Sequence, residues 1–207
     1  MDLYKPGEVY TNLIKMLAHR GVVVDVVLGA DSVVQKLNHH EHIMITGKRP
    51  ATDIRGAATV VTILIAPNSK YANKTADFKR LLKDLPKTEG VLEVILVSED
   101  PLTTHIKKQI LAHKEENAHM IIEDHDYRPF MINPTEHKAV PKHVIPTHEE
   151  ITRLCRYFYT SPEKFPKILQ SDVQAVWLGL KPGMVVKIYR VSETGGVSVA
   201  YRYCIAK

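Results

Sequence analysis

The side chains best suited to chemistry here are a few carboxylates and imidazoles. Asp53 stands before a β-branched run and Glu93 lies within the next one. Two neighbouring strands would then each carry a carboxylate, as when a metal-dependent nuclease holds a divalent ion. That chemistry also uses a lysine two residues beyond the strand carboxylate, and position 95 is Ile95. His39, His40 and His42 surround Glu41 and could ligate an ion from an extended loop, but no cysteine or second carboxylate accompanies them, and a solvated loop is expected. His137 and His143 flank Pro141 and read as hydrogen-bonding groups of a packed or interface turn, while Cys155 and Cys204 read as core thiols. There is no Gly-rich phosphate loop, no Gly-x-Ser-x-Gly elbow and no helical His pair around a Glu. No catalytic residue, metal site or cofactor is expected.

The stretch Ser98 to Lys108 suits a phosphate better than a reaction. A loop leaving a parallel strand and opening a helix offers free amides, and Pro101, the Thr103 and Thr104 hydroxyls, Lys107 and Lys108 would surround them. A free-standing nucleic-acid-binding module is therefore a reading to set beside the metal-dependent nuclease.

The elements that must position these groups form two textures. Val9, Leu13, Met16 and Leu17 mark one face of an opening helix that Gly21 terminates. A strand is expected over Val22–Leu28, an amphipathic segment over Asp31–Leu37, a polar loop from Asn38 to His42, and a strand over Thr59–Ala66 closed by Pro67-Asn68-Ser69. Phe78, Leu81, Leu82 and Leu85, and later Leu102, Ile106, Ile110 and Leu111, have helical spacing, with strands Leu92–Val97 and Met120–Glu123 following each. Strands alternating with helices predict an α/β unit with a mixed or largely parallel sheet and flanking helices.

From Asn133 the last 75 residues carry half of the 12 prolines, which predicts a boundary at Ile132 and domains 1–132 and 133–207. Thr147 and Glu150 form a capping box ahead of Ile151, Leu154, Cys155 and Phe158 on one helix face. A short helix over Asp172–Leu178 ends at Gly179, and Lys181-Pro182-Gly183 predicts a type II turn. Strands Met184–Val191 and Val197–Cys204 predict a hairpin, giving a small α+β domain.

Composition narrows the classes further. With 207 residues, 44% of them hydrophobic and 25% charged, the chain suits an ordinary globular protein. Two cysteines suit a reducing compartment, no apolar run reaches the length a bilayer demands, and the first residues lack a leader pattern, so a soluble intracellular protein without membrane contact is expected. The net charge of +5 is uneven: 17 Lys+Arg face 17 Asp+Glu in residues 1–132, against 11 and 6 in residues 133–207. The basic third is open to an acidic protein surface or nucleic acid.

A series of short motifs occupies that third in order: Asn133-Pro134-Thr135-Glu136-His137, Val140-Pro141-Lys142-His143-Val144, Glu149-Glu150, Phe165-Pro166-Lys167-Ile168, Gly179-Leu180-Lys181-Pro182-Gly183, Val185-Val186-Lys187-Ile188, Arg190-Val191-Ser192-Glu193-Thr194 and Tyr201-Arg202. In order and spacing they resemble the fifth-subunit family of DNA-directed RNA polymerases, which the three eukaryotic nuclear enzymes share and whose carboxy-terminal domain has a short archaeal counterpart. Over Met1–Ile132 the resemblance rests on length, element order, Arg49-Pro50, Thr52-Asp53 and Pro101. It implies a polymerase subunit with no catalytic residues of its own, a nuclease-like jaw domain beside downstream duplex DNA, and an assembly domain docked on the largest subunit among the other subunits. Thr135, Glu136, His137, Pro141, His143, Arg190, Ser192, Glu193 and Thr194 are the interface residues it implies, and Pro101, Thr103, Thr104, Lys107 and Lys108 the DNA-proximal ones. Asp172-Val173, Val176-Trp177-Leu178-Gly179 and Gly195-Gly196 depart from the family's usual runs. Such drift resembles the copies carried by large cytoplasmic DNA viruses, African swine fever virus among them, which implies host cytoplasm and virion, in place of the nucleus of a cellular copy.

Overall fold

Helix α1 (Pro6–His19) begins with proline at its first turn and buries Val9, Tyr10, Leu13, Met16 and Leu17 along one face. Gly21 follows at φ +68, and a side chain there would also collide with the Asp53 carboxylate, so only glycine makes this turn. The chain then pairs briefly as β1 (Val23–Val24), forms α2 (Ala30–Asn38), and returns as β2 (His42–Arg49), β3 (Ala58–Ile65), α3 (Thr75–Lys83), β4 (Leu92–Ser98), α4 (Thr104–Glu116) and β5 (Met120–Asp126). The computed structural model describes residues 5–66, 74–86, 88, 90–99, 101–192 and 196–206, in two units, 1–132 and 133–207.

The sheet of the first unit has order β1-β2-β3-β4-β5. Strands β1/β2 and β2/β3 run antiparallel, while β3/β4 and β4/β5 run parallel. β4 is buried along its whole length and β3 nearly so, as strands covered on both faces must be. Val61, Ile63, Ile65, Val94, Leu96 and Ile122 face Phe78, Leu81 and Leu82 of α3 and Ile106 and Ile110 of α4. The mixed α/β class expected from sequence is the one observed.

Three expectations need correction. Val22–Leu28 contributes only Val23–Val24 to the ladder, and Val26 and Val27 stand 67% and 59% exposed, because a β-branched run looks alike at an edge and in a centre. His42, expected in the polar loop, instead opens β2, where buried Ile43 and Ile45 alternate with half-buried His42, Met44 and Thr46. Leu111 is 59% exposed and lies off the core face of α4. The turn expected at Pro67-Asn68-Ser69 lies outside the described residues.

Glu93 on β4 is buried on the face away from α3 and α4. Arg49, the last residue of β2, donates to it through both terminal nitrogens at 2.8 Å and to the Gly56 carbonyl through Nε at 2.8 Å. In register Arg49 sits opposite Ala58 and Glu93 opposite Val60, so the pair bridges across β3.

The second unit is built of β6 (Lys142–Val144), α5 (His148–Tyr157), β7 (Lys167–Leu169), α6 (Val173–Leu178), β8 (Val185–Ser192) and β9 (Gly196–Ile205), in sheet order β6-β8-β9-β7. Asp172 caps α6 by accepting from the Gln174 amide at 2.8 Å, and Gly179 ends it in the left-handed region. Gly183 at φ +95 and the bond from the Met184 amide to the Lys181 carbonyl make the expected turn into the hairpin. Ile168, Ala175, Leu180, Val186, Ile188 and Cys204 form the core. The three-residue strands β6 and β7 carry no sequence signal long enough to read.

Breaking the Arg49 pair should be costly, because a buried carboxylate would lose its partner. Arg49→Ala is expected to destabilise the first unit by about 3–5 kcal/mol, and the double variant Arg49→Met/Glu93→Leu to recover most of that loss. Urea unfolding curves check both.

Candidate functional site

Asp53, Glu93 and Glu123 are each held by an arginine of their own unit. Asp53 accepts from Arg55 Nε at 2.8 Å, Nη2 at 2.9 Å and the Arg55 amide at 2.9 Å, and the Arg55 side chain holds its carboxyl below the ordinary range. Glu93 is closed by Arg49. Glu123 accepts from both Arg20 terminal nitrogens at 3.2 and 3.3 Å, with His125 Nε2 at 3.5 Å. Among the described residues no three His, Cys, Asp or Glu gather as a metal set. His39 and His40 occupy the turn after α2, and His42 points along β2 instead of sharing a loop with them. Burial pushes the Cys204 thiol up, toward the unreactive form. Cys155 is only half-buried, and of the face Ile151, Leu154, Cys155 and Phe158 the first three are half-buried and Phe158 exposed, so α5 is covered less than a core helix would be.

At the start of α4, Pro101, Thr103, Thr104, Lys107 and Lys108 are all exposed. Thr103 is the N-cap, but its hydroxyl caps no amide, and the first turn carries no acidic residue. Lys107 reaches Asp124 on β5 at 3.3 Å, so its charge is partly answered within the unit.

In the second unit, Asn133 is buried and its side-chain oxygen accepts from the Thr135 amide at 2.9 Å and hydroxyl at 2.7 Å. Glu136 and His137 are exposed in the turn that follows, and His137 Nδ1 accepts from the Ala139 amide at 3.2 Å. Pro141 lacks an amide to donate, so β6 begins after it. His143 bonds the Pro141 carbonyl through Nδ1 at 2.7 Å and pairs with Ile188, while Lys142 pairs with Tyr189. β6 therefore covers only Lys187–Tyr189 of β8, and beyond it opens a groove of about 920 Å³. Among the described residues its walls are Lys138 to Lys142, Val144, Tyr189, Arg190, Val191 and Val197, none of them a carboxylate. The structure thus brings Pro141 and Arg190 to one groove with His143 beside it. Ser192 ends β8, and Glu193 and Thr194 lie outside the described residues.

Lys138, Lys142, Val191 and Val197 are not among the interface residues expected from the sequence, although Lys142 and Val191 stand within the family motifs. Val191 pairs with Val197 across the hairpin, yet they are 84% and 63% exposed. A β-branched run persisting to the hairpin tip was the only available signal, and it does not reveal exposure.

The capping box is half made. The Glu150 amide donates to Thr147 Oγ1 at 3.2 Å, but the Glu150 carboxylate turns away and accepts from Lys187 Nζ at 2.6 Å and the Tyr201 hydroxyl at 2.8 Å. This ties α5 to the hairpin. The Lys187 bond, then the Tyr201 bond, hold Glu150 below the ordinary carboxyl range; the bond to Glu150 holds Lys187 above the ordinary amine range, and burial raises the Tyr201 phenol.

One unit is thus a mixed α/β sheet whose candidate carboxylates are held by arginines, and the other a small sheet carrying a basic, apolar groove. Residues 132–204 match the family described as RNA polymerase Rpb5, C-terminal domain. The RNA polymerases I, II and III subunit RPABC1 of Caenorhabditis elegans is 28% identical over 218 residues, spanning 99% of this chain and 98% of that one. The RPB5 homolog of African swine fever virus is 31% identical over 147 residues, 70% of this chain and 72% of the viral one. The Dictyostelium discoideum subunit rpabc1 is 33% identical over 122 residues, covering 59% and 61%. The chain belongs to the Rpb5 family of DNA-directed RNA polymerase subunits.

Because Glu150 has a lowered value in the fold, its contribution is complete above the ordinary carboxyl value of 4.5 and disappears as pH falls through the lowered one. Thermal unfolding followed from pH 7 to pH 2 should show this acid limb weakened in Glu150→Gln, whose midpoint is already lower at pH 7.

Proposed function

We propose that this chain is a non-catalytic subunit of a multisubunit RNA polymerase, with residues 133–207 as the assembly part docked on the largest subunit and residues 1–132 as the jaw part beside downstream duplex DNA. The groove beside β6 and β8 is the observation that carries the reading. Lys138, Lys142 and Arg190 surround exposed Val191 and Val197 there, a composition that favours an apolar partner segment bearing carboxylates. Thr135, Glu136, His137, Pro141 and His143 shape the turn and edge strand at its mouth; Ser192, Glu193 and Thr194, the next residues after Val191 in sequence, belong to the same assignment. The arginine held on each candidate metal carboxylate argues against the nuclease alternative.

The polymerase served is a viral or nuclear one, as the named relatives are. We favour the viral setting of host cytoplasm and virion, on the departures at Asp172-Val173 and Gly195-Gly196.

In the jaw part, Pro101, Thr103, Thr104, Lys107 and Lys108 present amides, hydroxyls and charge to the DNA backbone. Lys108 is the stronger contributor, because Asp124 already answers Lys107. Lys108→Ala should reduce the salt slope of the engaged complex by about one, equally on all DNA sequences, and Lys107→Ala by less. Salt titration of elongation complexes measures this.

Reversing the groove charge tests the docking. Lys142→Glu/Arg190→Glu should keep the fold by circular dichroism yet leave the chain behind when the polymerase is purified through another subunit. Full retention of the double variant would overturn the assignment of the groove.

A further inference from the structure

Helix α5 ends in an unusual cap. The Phe158 amide bonds the Leu154 carbonyl, the Tyr159 amide bonds Arg156, and the Thr160 amide reaches back to Cys155 at 2.9 Å, which is a Schellman closure. Its left-handed position, φ +47, is filled by Tyr159. Glycine is the usual occupant, as Gly179 is at the end of α6, and a bulky aromatic there is strained. Strain of this kind persists where the surroundings or a function require it. The surroundings do not: Tyr159 is 96% exposed, with Tyr157 at 76% and Phe158 at 61%. Arg153 and Arg156 are exposed on the same helix end; Glu150, one turn back, lies within electrostatic reach of Arg153, while no carboxylate occurs from Thr152 to Ser161.

Exposed aromatics beside arginines are the composition of an interface centre. The Tyr157 and Phe158 rings meet edge to face at 4.9 Å, which suits insertion into an apolar pocket better than the parallel stacking of successive bases. We propose that Arg153, Arg156, Tyr157, Phe158 and Tyr159 form a second docking surface, separate from the groove, for a polypeptide of the same polymerase that presents an apolar pocket edged with carboxylates. This rests on the reading of the chain as a polymerase subunit.

Tyr159→Gly separates fold from docking. It relieves the strained cap, so the Tm of the variant should rise by about 2–4 °C. At the same time the salt concentration that releases the chain from polymerase purified through another subunit should fall, with retention lowered about tenfold at the midpoint for the unsubstituted chain. A photoreactive p-benzoylphenylalanine at position 159 of the assembled enzyme should crosslink to one polymerase polypeptide. Unchanged retention, a lowered Tm, or crosslinking to nucleic acid alone would each overturn the proposal while leaving the subunit reading intact. Failure of the unsubstituted chain to co-purify would remove both.

Discussion

The first unit depends on a guanidinium and a carboxylate held out of water. Arg49 and Glu93 are 2% and 8% exposed at their side chains, and neither charge could stay there alone. Two parallel bonds between them and a third to the Gly56 carbonyl satisfy the guanidinium and fix the turn between β2 and β3. Because the pair reaches across β3, it couples the antiparallel half of the sheet to the parallel half. Hydrophobic burial would tolerate several slips of β2; a bidentate pair tolerates one register.

The same pairing explains the distribution of charge. Arg20 with Glu123, Arg49 with Glu93, Arg55 with Asp53 and Arg128 with Asp126 consume arginine and carboxylate together, which is how the first unit stays balanced. In the second unit the Glu150 and Lys187 pair serves structure, while Lys138, Lys142 and Arg190 line a groove that holds no carboxylate among the described residues. The excess charge is thus a surface property of one unit and leaves the fold of both undisturbed.

Local backbone rules place the apolar surfaces that accompany this charge. Pro141 keeps β6 from starting before Lys142, so β8 continues past its neighbour and Val191 and Val197 stay in water. Glu150, drawn to Lys187 and Tyr201, fixes the first turn of α5 against the hairpin, and the opposite end of the helix closes on an exposed tyrosine.

Periodicity in the sequence determined much: α1, α3, α4, the buried strands β3 and β4, the hairpin, the end of α6 at Gly179 and the turn at Gly183 all follow from patterns within a few residues, where steric and hydrogen-bonding preferences act. The family motifs of the last third were likewise legible, because they are contiguous. Tertiary structure alone decided what depends on distant partners. It closed Glu93 with Arg49, answered Lys107 with Asp124, turned Glu150 from its own helix end to Lys187 and Tyr201, and left the apolar side of α5 only half-buried. It also trimmed Val22–Leu28 to a two-residue edge and made a strand of His42–Arg49. The reason is common to all: a side chain's type states what it can bond, while only the folded chain brings up the group it bonds and decides whether water remains between them.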